Sequence, residues 1–532
     1  MNAFAGTGVL VRLALRRDRV LLPVWIVVVA GVVFATASAI AEVYPDLSQR
    51  VALGAMISGN PALRALAGPV LDPTSVGGLT AWRVTPIAAV LTGLMSILLV
   101  TRHSRAEEEA GRAELVGAGA VGRHALPVAA VIVAGTANLV IGLAIALGLC
   151  GQGLPAAGSF ALGLAIAGAG WVFTGVAAVA AQVAESARTT NAIAASVLGA
   201  ALLVRAAGDA AGADGLVWLS PLGWALRVRP FAGENWWVLA LIAVAGLVMV
   251  GLSEGLVRRR DIGSGVLPRR PGPATATGYL RSPVALAWRL HRGVLLGWTI
   301  GFAVAGAVFG TLAENVRDMV SGNPRLGELI ARVGGGNALV DTFFATELGL
   351  LGVVAGGYAV QATLRLRGEE AAMRAEPVLA RGVPRWRWLA GHLVLALAGS
   401  AWILILAGLA AGLAHGLRIG DPLAQSLRIL GAALVQVPAV WVLAGLAVLL
   451  FGLLPRLTAF AWAALVMFAL LGQLGQLLQI DERIRNLSPF AHVPRLPGET
   501  VTAAPLLWLA AITAALVVAG VGAFYRRDLS SD

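Results

Sequence analysis

Arg105 to Arg123 reads RAEEEAGRAELVGAGAVGR, and Arg367 to Arg385 reads RGEEAAMRAEPVLARGVPR. Superposed without a gap at a shift of 262 residues, the two segments agree at 11 of 19 positions, where this composition gives roughly two by chance. Long apolar runs flank both, so the chain reads as a duplication in which one charged loop recurs at the same place in each copy. Further anchors keep the same order. They are SGNP at Ser58 to Pro61 and at Ser321 to Pro324, then Leu219-Ser220-Pro221 and Leu487-Ser488-Pro489. Arg259-Arg260-Asp261 and Arg526-Arg527-Asp528 close the two copies on the same tripeptide. The expected organisation is a first half over 1–261, a linker over 262–281 rich in Gly, Pro and Arg, and a second half over 282–532.

The apolar runs define the solvent. The 532 residues are 58% hydrophobic and 13% charged, with a mean hydropathy of +0.82, far from the usage of water-soluble domains. Runs near the twenty residues that cross a hydrocarbon core of about 30 Å recur along the whole length. Without alternation they are helices, since lipid leaves only helices and closed barrels with satisfied backbones. The expected spans are 20–41, 79–101, 125–149, 158–183, 190–206 and 236–257, then 293–312, 341–363, 387–414, 423–450, 458–480 and 504–525. The fold expected is therefore an all-α integral membrane protein of about twelve transmembrane helices. Six spans return the chain to its starting side, so the halves share one orientation about a pseudo-two-fold axis along the membrane normal.

The net charge of +12 is carried by arginine alone, because all forty basic residues are Arg and there is no Lys. With both termini in the cytoplasm, 26 Arg and 13 Asp/Glu fall on that side, against 14 Arg and 15 Asp/Glu outside. That asymmetry follows the positive-inside rule, places the chain in a bacterial cytoplasmic membrane and argues against nucleic acid as a partner. Lysine's absence excludes a P-loop, whose Lys sits on the terminal phosphates. ATP and Mg, if they drive this protein, are expected in a partner ATPase, and no cofactor in the chain itself. Cys150 stands alone and the six His show no paired-ligand spacing, so neither a metal site nor a catalytic constellation is expected.

The charged loops are the candidate functional elements. Glu108 and Arg112 stand four apart, and Glu370 and Arg374 repeat the spacing, which predicts a short helix with i,i+4 pairs on a solvated surface. Before the first span, Arg12, Arg16 and Arg19 lie on one face and Val9, Leu10 and Leu13 on others, predicting an interfacial amphipathic helix in contact with membrane lipids. Arg289 and Arg292, with Trp288 as an interface anchor, form its counterpart before span seven. Arg83 and Glu347, 264 residues apart, are expected at near-equivalent positions of spans two and eight, as an outer gate or part of the substrate path. Asp341 is the reserve partner.

The charged loop, SPLGW at Ser220 to Trp224, RVRPF at Arg227 to Phe231 and RRRDIGSG at Arg258 to Gly265 together resemble a known family. It is the duplicated twelve-span permeases of actinobacterial ABC exporters, often labelled polyketide antibiotic exporters, within the type-2 ABC permease class. The resemblance spans essentially the whole chain. It implies an exporter of hydrophobic or amphiphilic small molecules and two copies of a separate ABC ATPase subunit that seat the loops. Carried over, Arg105, Glu107, Glu108, Arg112, Glu114 and Arg123 become coupling residues in the first half. Arg367, Glu369, Glu370, Arg374, Glu376 and Arg385 are their partners in the second. Pro377 in place of Leu115 and Ala371 in place of Glu109 make the two couplings unequal. Two other readings stay open: an ion-coupled secondary multidrug transporter, which would place carboxylates inside the bilayer, and a membrane enzyme or assembly factor acting on lipids.

Overall fold

A computed structural model of the chain describes residues 3–58, 64, 65, 67–119, 121–261, 263–267, 275, 278–321, 335–474, 481–500 and 502–529, with side chains at 279 and 281, from 314 to 338 and at 473 and 474 excluded. Every regular element among them is helical. The chain divides into two compact units, Met1–Gly272 and Pro273–Asp532, a division inside the expected linker. Half of that linker, Gly59 to Pro61 and Gly322 to Pro324 of the SGNP anchors, and residues 475–480 of the expected eleventh span lie outside the described residues.

In the first unit the elements are α1 (Thr7–Arg17), α2 (Leu21–Val43), α3 (Leu47–Ser58), α4 (Val76–His103), α5 (Arg105–Glu109), α6 (Arg112–Gly117), α7 (Ala125–Gly151), α8 (Ala156–Val183), α9 (Ala187–Ala211), α10 (Asp214–Trp218), α11 (Pro221–Arg227) and α12 (Trp236–Val257). Those of the second are α13 (Pro283–Ser321), α14 (Gly335–Ala371), α15 (Glu376–Leu379), α16 (Arg385–Ile419), α17 (Pro422–Leu434), α18 (Val437–Leu453), α19 (Phe460–Ala469), α20 (Glu482–Arg485) and α21 (Ala503–Arg526). Eleven helices are long and apolar enough to cross a membrane, among the described residues. The 23 residues of α2, at about 1.5 Å each, reach roughly 35 Å. The expected tenth span is one such helix made of α17 and α18, interrupted at Val435 and Gln436. At the eleventh place the described residues hold a shorter apolar helix, Phe460–Gly472, and the end of that expected span lies outside them.

Caps set the ends. The Ser75 hydroxyl accepts from the Gly78 amide at 2.9 Å to start α4, and Asp421 with Pro422 behind it starts α17. Gly212 and Gly420 close α9 and α16 at φ 66° and 82°, a left-handed turn that favours glycine. The buried centre of the first unit is α4 against α8. Its helices are joined across the apolar interior by Asn138 of α7, whose amide donates to Ser96 of α4 at 2.9 Å and to Thr174 of α8 at 3.3 Å. By contrast α12 is largely exposed and apolar, as a lipid-facing helix must be (Leu247 60%, Val244 56%).

Close packing in the second unit uses small residues. A Cβ on Gly306 would lie 2.2 Å from the Ala407 carbonyl oxygen, and one on Gly310 would lie 2.2 Å from that of Ala411. Gly-xxx-Gly on α13 thus meets Ala-xxx-Ala on α16, backbone against backbone. Gly306→Val is expected to force these helices apart and to cost about 1–3 kcal/mol. The unfolding midpoint of the detergent-solubilised protein should fall, whereas Gly297→Val, on the same helix with nothing within 4 Å, should leave it unchanged. Equal midpoints for the two variants would contradict the packing.

Candidate functional site

The expected short helix of the charged loop is broken. Between α5 and α6 stands Gly111 at φ 71°, and at the position 262 residues on, Met373 holds φ 54°. The second is a strained conformation for a side-chain-bearing residue, and its presence at both places shows that the turn is required there. It rotates the following arginine away from the expected i,i+4 partner, so Glu108–Arg112 and Glu370–Arg374 are corrected to other pairs. Arg112 instead grips Glu107 with Nε at 2.7 Å and Nη2 at 2.9 Å, and Arg374 approaches Glu369 at 3.5 Å. The bond to Glu107 holds the Arg112 guanidinium above its ordinary range.

Released from those pairs, Glu108 and Glu370 turn inward. Glu108 accepts a two-pronged contact from Arg260 (Nη2 2.6 Å, Nη1 2.7 Å) and a third bond from Arg105 at 2.8 Å. Glu370 accepts the same two-pronged contact from Arg527, at 2.6 and 2.8 Å, with Arg367 at 3.8 Å. The side chains of Glu108 and Arg260 are each 7% exposed and that of Glu370 1%, so the expectation of solvated glutamates is overturned. Each loop is fastened a second time. Arg123 donates to the Arg260 carbonyl, and Arg385 donates to the Arg527 carbonyl at 2.7 Å. Loop and helix end therefore form a clasp in each unit: the loop's second glutamate holds the end arginine's guanidinium while the loop's last arginine holds its carbonyl.

The Arg-Arg-Asp anchor is explained by this contact, and the Leu-Ser-Pro anchor by another. The Ser220 hydroxyl donates to the Ala201 carbonyl at 2.7 Å and that of Ser488 to the Phe468 carbonyl at 2.8 Å, both fully buried. The loop's other contacts differ between units. Glu109 accepts from the Ala187 amide at 2.9 Å at the start of α9, a contact that Ala371 cannot make. Among the exposed residues are Arg112, Glu114 and Leu115 in the first loop and Met373, Arg374 and Glu376 in the second, with Leu115 78% exposed.

Arg12 and Arg16 on α1 and Arg19 just beyond it are exposed with Val9 and Leu13, while Leu10 packs on Ala125 and Ala129 of α7. Arg17 pairs with Glu107, so this helix is fixed to the loop. Asp18 anchors its far end to Arg102 and His103, and His124 pairs with Glu254; neither was anticipated from spacing. Arg289 and Arg292 are exposed but lie within α13 itself, so among the described residues they form no separate interfacial helix before that span. Arg83 is exposed on α4, its guanidinium 5.9 Å from the Trp82 ring, and Glu347 is half-buried on α14. Asp341 is engaged by Arg428 at 2.6 Å. A further buried pair that the sequence did not disclose is Arg205 with Asp209 on α9, at 3.4 Å, with Arg205 also donating to the Ala65 carbonyl.

Residues 280–525 match the family described as the C-terminal domain of the multidrug efflux system permease Rv1217c. The chain is also similar to the multidrug efflux system permease protein Rv1217c of Mycobacterium tuberculosis (strain ATCC 25618 / H37Rv), with 46% identity over 530 residues, 99% of this chain and 96% of the relative. A multi-pass helical membrane protein with that identity over that length belongs to the multidrug efflux system permeases.

Proposed function

We propose that the chain is the permease subunit of an ATP-driven exporter of hydrophobic or amphiphilic compounds, built from two duplicated six-span halves. It lies in the cytoplasmic membrane with both termini and both charged loops inside, where two copies of a separate ABC ATPase seat the loops. The observation that carries this reading is the repeated clasp. Each unit fixes a charged loop rigidly to the last membrane helix and leaves a small charged and apolar face exposed, centred on Glu114 and Leu115 or on Met373 and Glu376. A partner that moves the loop must then move the helix end. The absence of lysine, which a P-loop requires, supports placing ATP hydrolysis in that partner.

The test is reconstitution. The purified chain alone is expected to hydrolyse no ATP, and hydrolysis is expected to appear on co-purification with an ABC ATPase, at two copies per chain by native mass measurement. Hydrolysis by the chain alone, or a complex with no ATPase, would overturn the assignment. Ion-coupled export is favoured by one observation, the carboxylates Asp209 and Glu347 within candidate spans. Asp209 is, however, held by Arg205, an arrangement suited to fixing a helix rather than to releasing a proton. Export from vesicles that stops with an ionophore and needs no ATP would favour that reading instead.

A further inference from the structure

At the end of the first unit away from the charged loop, the last turn of α2, the start of α4 and the turn between α7 and α8 enclose an open hollow of about 650 Å³. Its walls are mostly small or apolar, with Val76, Leu154 and Pro155 among them, and Ser38 and Gln152 supply neutral polar groups. One ionisable side chain lines it, Glu42. Two charged groups near this rim are already engaged. Arg50 donates to the carbonyls of Tyr44 at 2.9 Å, Pro45 at 2.8 Å and Thr74 at 3.0 Å, and Asp72 accepts from Thr74 and Ser75. Glu42 has no hydrogen-bond or ion-pair partner among the described residues.

We infer that this hollow binds a lipophilic organic cation, its apolar bulk against Val76, Leu154 and Pro155 and its positive charge beside the Glu42 carboxylate. The inference rests on the proposed export function and names a substrate class for it; in the orientation proposed above the hollow opens outward. The chemistry is that of complementarity. A carboxylate without a counter-charge attracts a cation, and in a chain of net charge +12 a local negative group is what makes a cation welcome at all. A hollow this size holds a multi-ring compound, and apolar walls with one charged group give the usual division between affinity and orientation. Arg50, eight residues on, is tied to backbone carbonyls, which leaves the Glu42 charge for a ligand.

The experiment is direct binding of tetraphenylphosphonium to the purified full chain in detergent by calorimetry, with neutral triphenylphosphine oxide as the uncharged comparison. Glu42 is exposed, so Glu42→Gln is expected to leave the fold intact and to weaken the cation about two- to fivefold, leaving the neutral compound unchanged. Glu42→Asp should restore most of the cation affinity. Ala41→Phe, on the exposed rim, should fill the hollow and weaken both compounds. Equal cation binding by wild type, Glu42→Gln and Ala41→Phe would overturn the inference, as would equal loss of both compounds in Glu42→Gln. Binding requires neither nucleotide nor a partner subunit, so a failure of ATP-coupled export would count against the proposed function and leave this result to stand or fall separately.

Discussion

Glu108→Gln and Glu370→Gln are each expected to destabilise the protein by about 3–5 kcal/mol, because either change strands buried guanidinium groups without a counter-charge. Glu108 faces two of them, Arg260 and Arg105, and Arg105 has a fully buried side chain that also donates to the carbonyls of Ala181 and Ser264. Glu370 faces Arg527, whose guanidinium lies 4.9 Å from the Phe451 ring and 5.1 Å from that of Phe524, with Arg367 further off. The loss should therefore be larger at Glu108. The measurement is the thermal unfolding midpoint in detergent, with the fraction recovered monodisperse as a second readout. Glu114→Gln, on the exposed face, is the control and should change stability by no more than about half a kcal/mol. A Glu108→Gln variant as stable as wild type would mean that the clasp contributes nothing to the fold. An apolar replacement of both close partners in the second unit, Glu370→Leu with Arg527→Met, should recover part of the loss, because a buried ion pair costs desolvation that an apolar pair does not.

The helices, their approximate ends and the recurrence of the loop were legible in sequence because each is a local signal. An apolar run long enough to cross a bilayer declares itself, and so does a 19-residue repeat. The partners of Glu108 and Glu370 were not legible. Arg260 lies 152 residues from Glu108 and Arg527 lies 157 from Glu370, so no spacing rule connects them. Spacing instead suggested Arg112 and Arg374, and the left-handed turn at Gly111 and Met373 defeats that suggestion. Gly111 alone carried a hint; methionine at the matching place concealed it. The repeated Arg-Arg-Asp was visible, but as an end marker, since a sequence records that an arginine is kept in both copies and not which carboxylate it meets. Arg205 with Asp209 was hidden for a different reason: the expected fifth span stopped at 206, five residues short of the end of α9 at Ala211, and left Asp209 in a loop.

The double reversal Glu114→Arg with Glu376→Arg is expected to abolish export, by at least about tenfold, while the permease stays folded in the membrane. Both glutamates sit in the first turn of their short helices, α6 and α15, exposed and without a hydrogen-bond or ion-pair partner among the described residues. Reversing an exposed, unpaired charge changes stability by no more than about half a kcal/mol, so any large loss must come from a partner surface. Like-charge contact at such a surface costs several kcal/mol, which is more than a tenfold change requires. Placing the test here rather than at Glu108 and Glu370 separates coupling from folding, since the clasped glutamates would fail for structural reasons alone. The single reversals should be unequal. The first loop presents Leu115 beside its glutamate and is braced by Glu109 on the start of α9, whereas the second has Pro377 and Ala371 at those places. Glu114→Arg is accordingly expected to be the more damaging. Drug efflux from cells and nucleotide hydrolysis by the chain purified with the proposed ATPase are the two readouts. Hydrolysis that persists while efflux stops would place the defect in coupling. Wild-type efflux in the double reversal would remove both exposed faces from the mechanism.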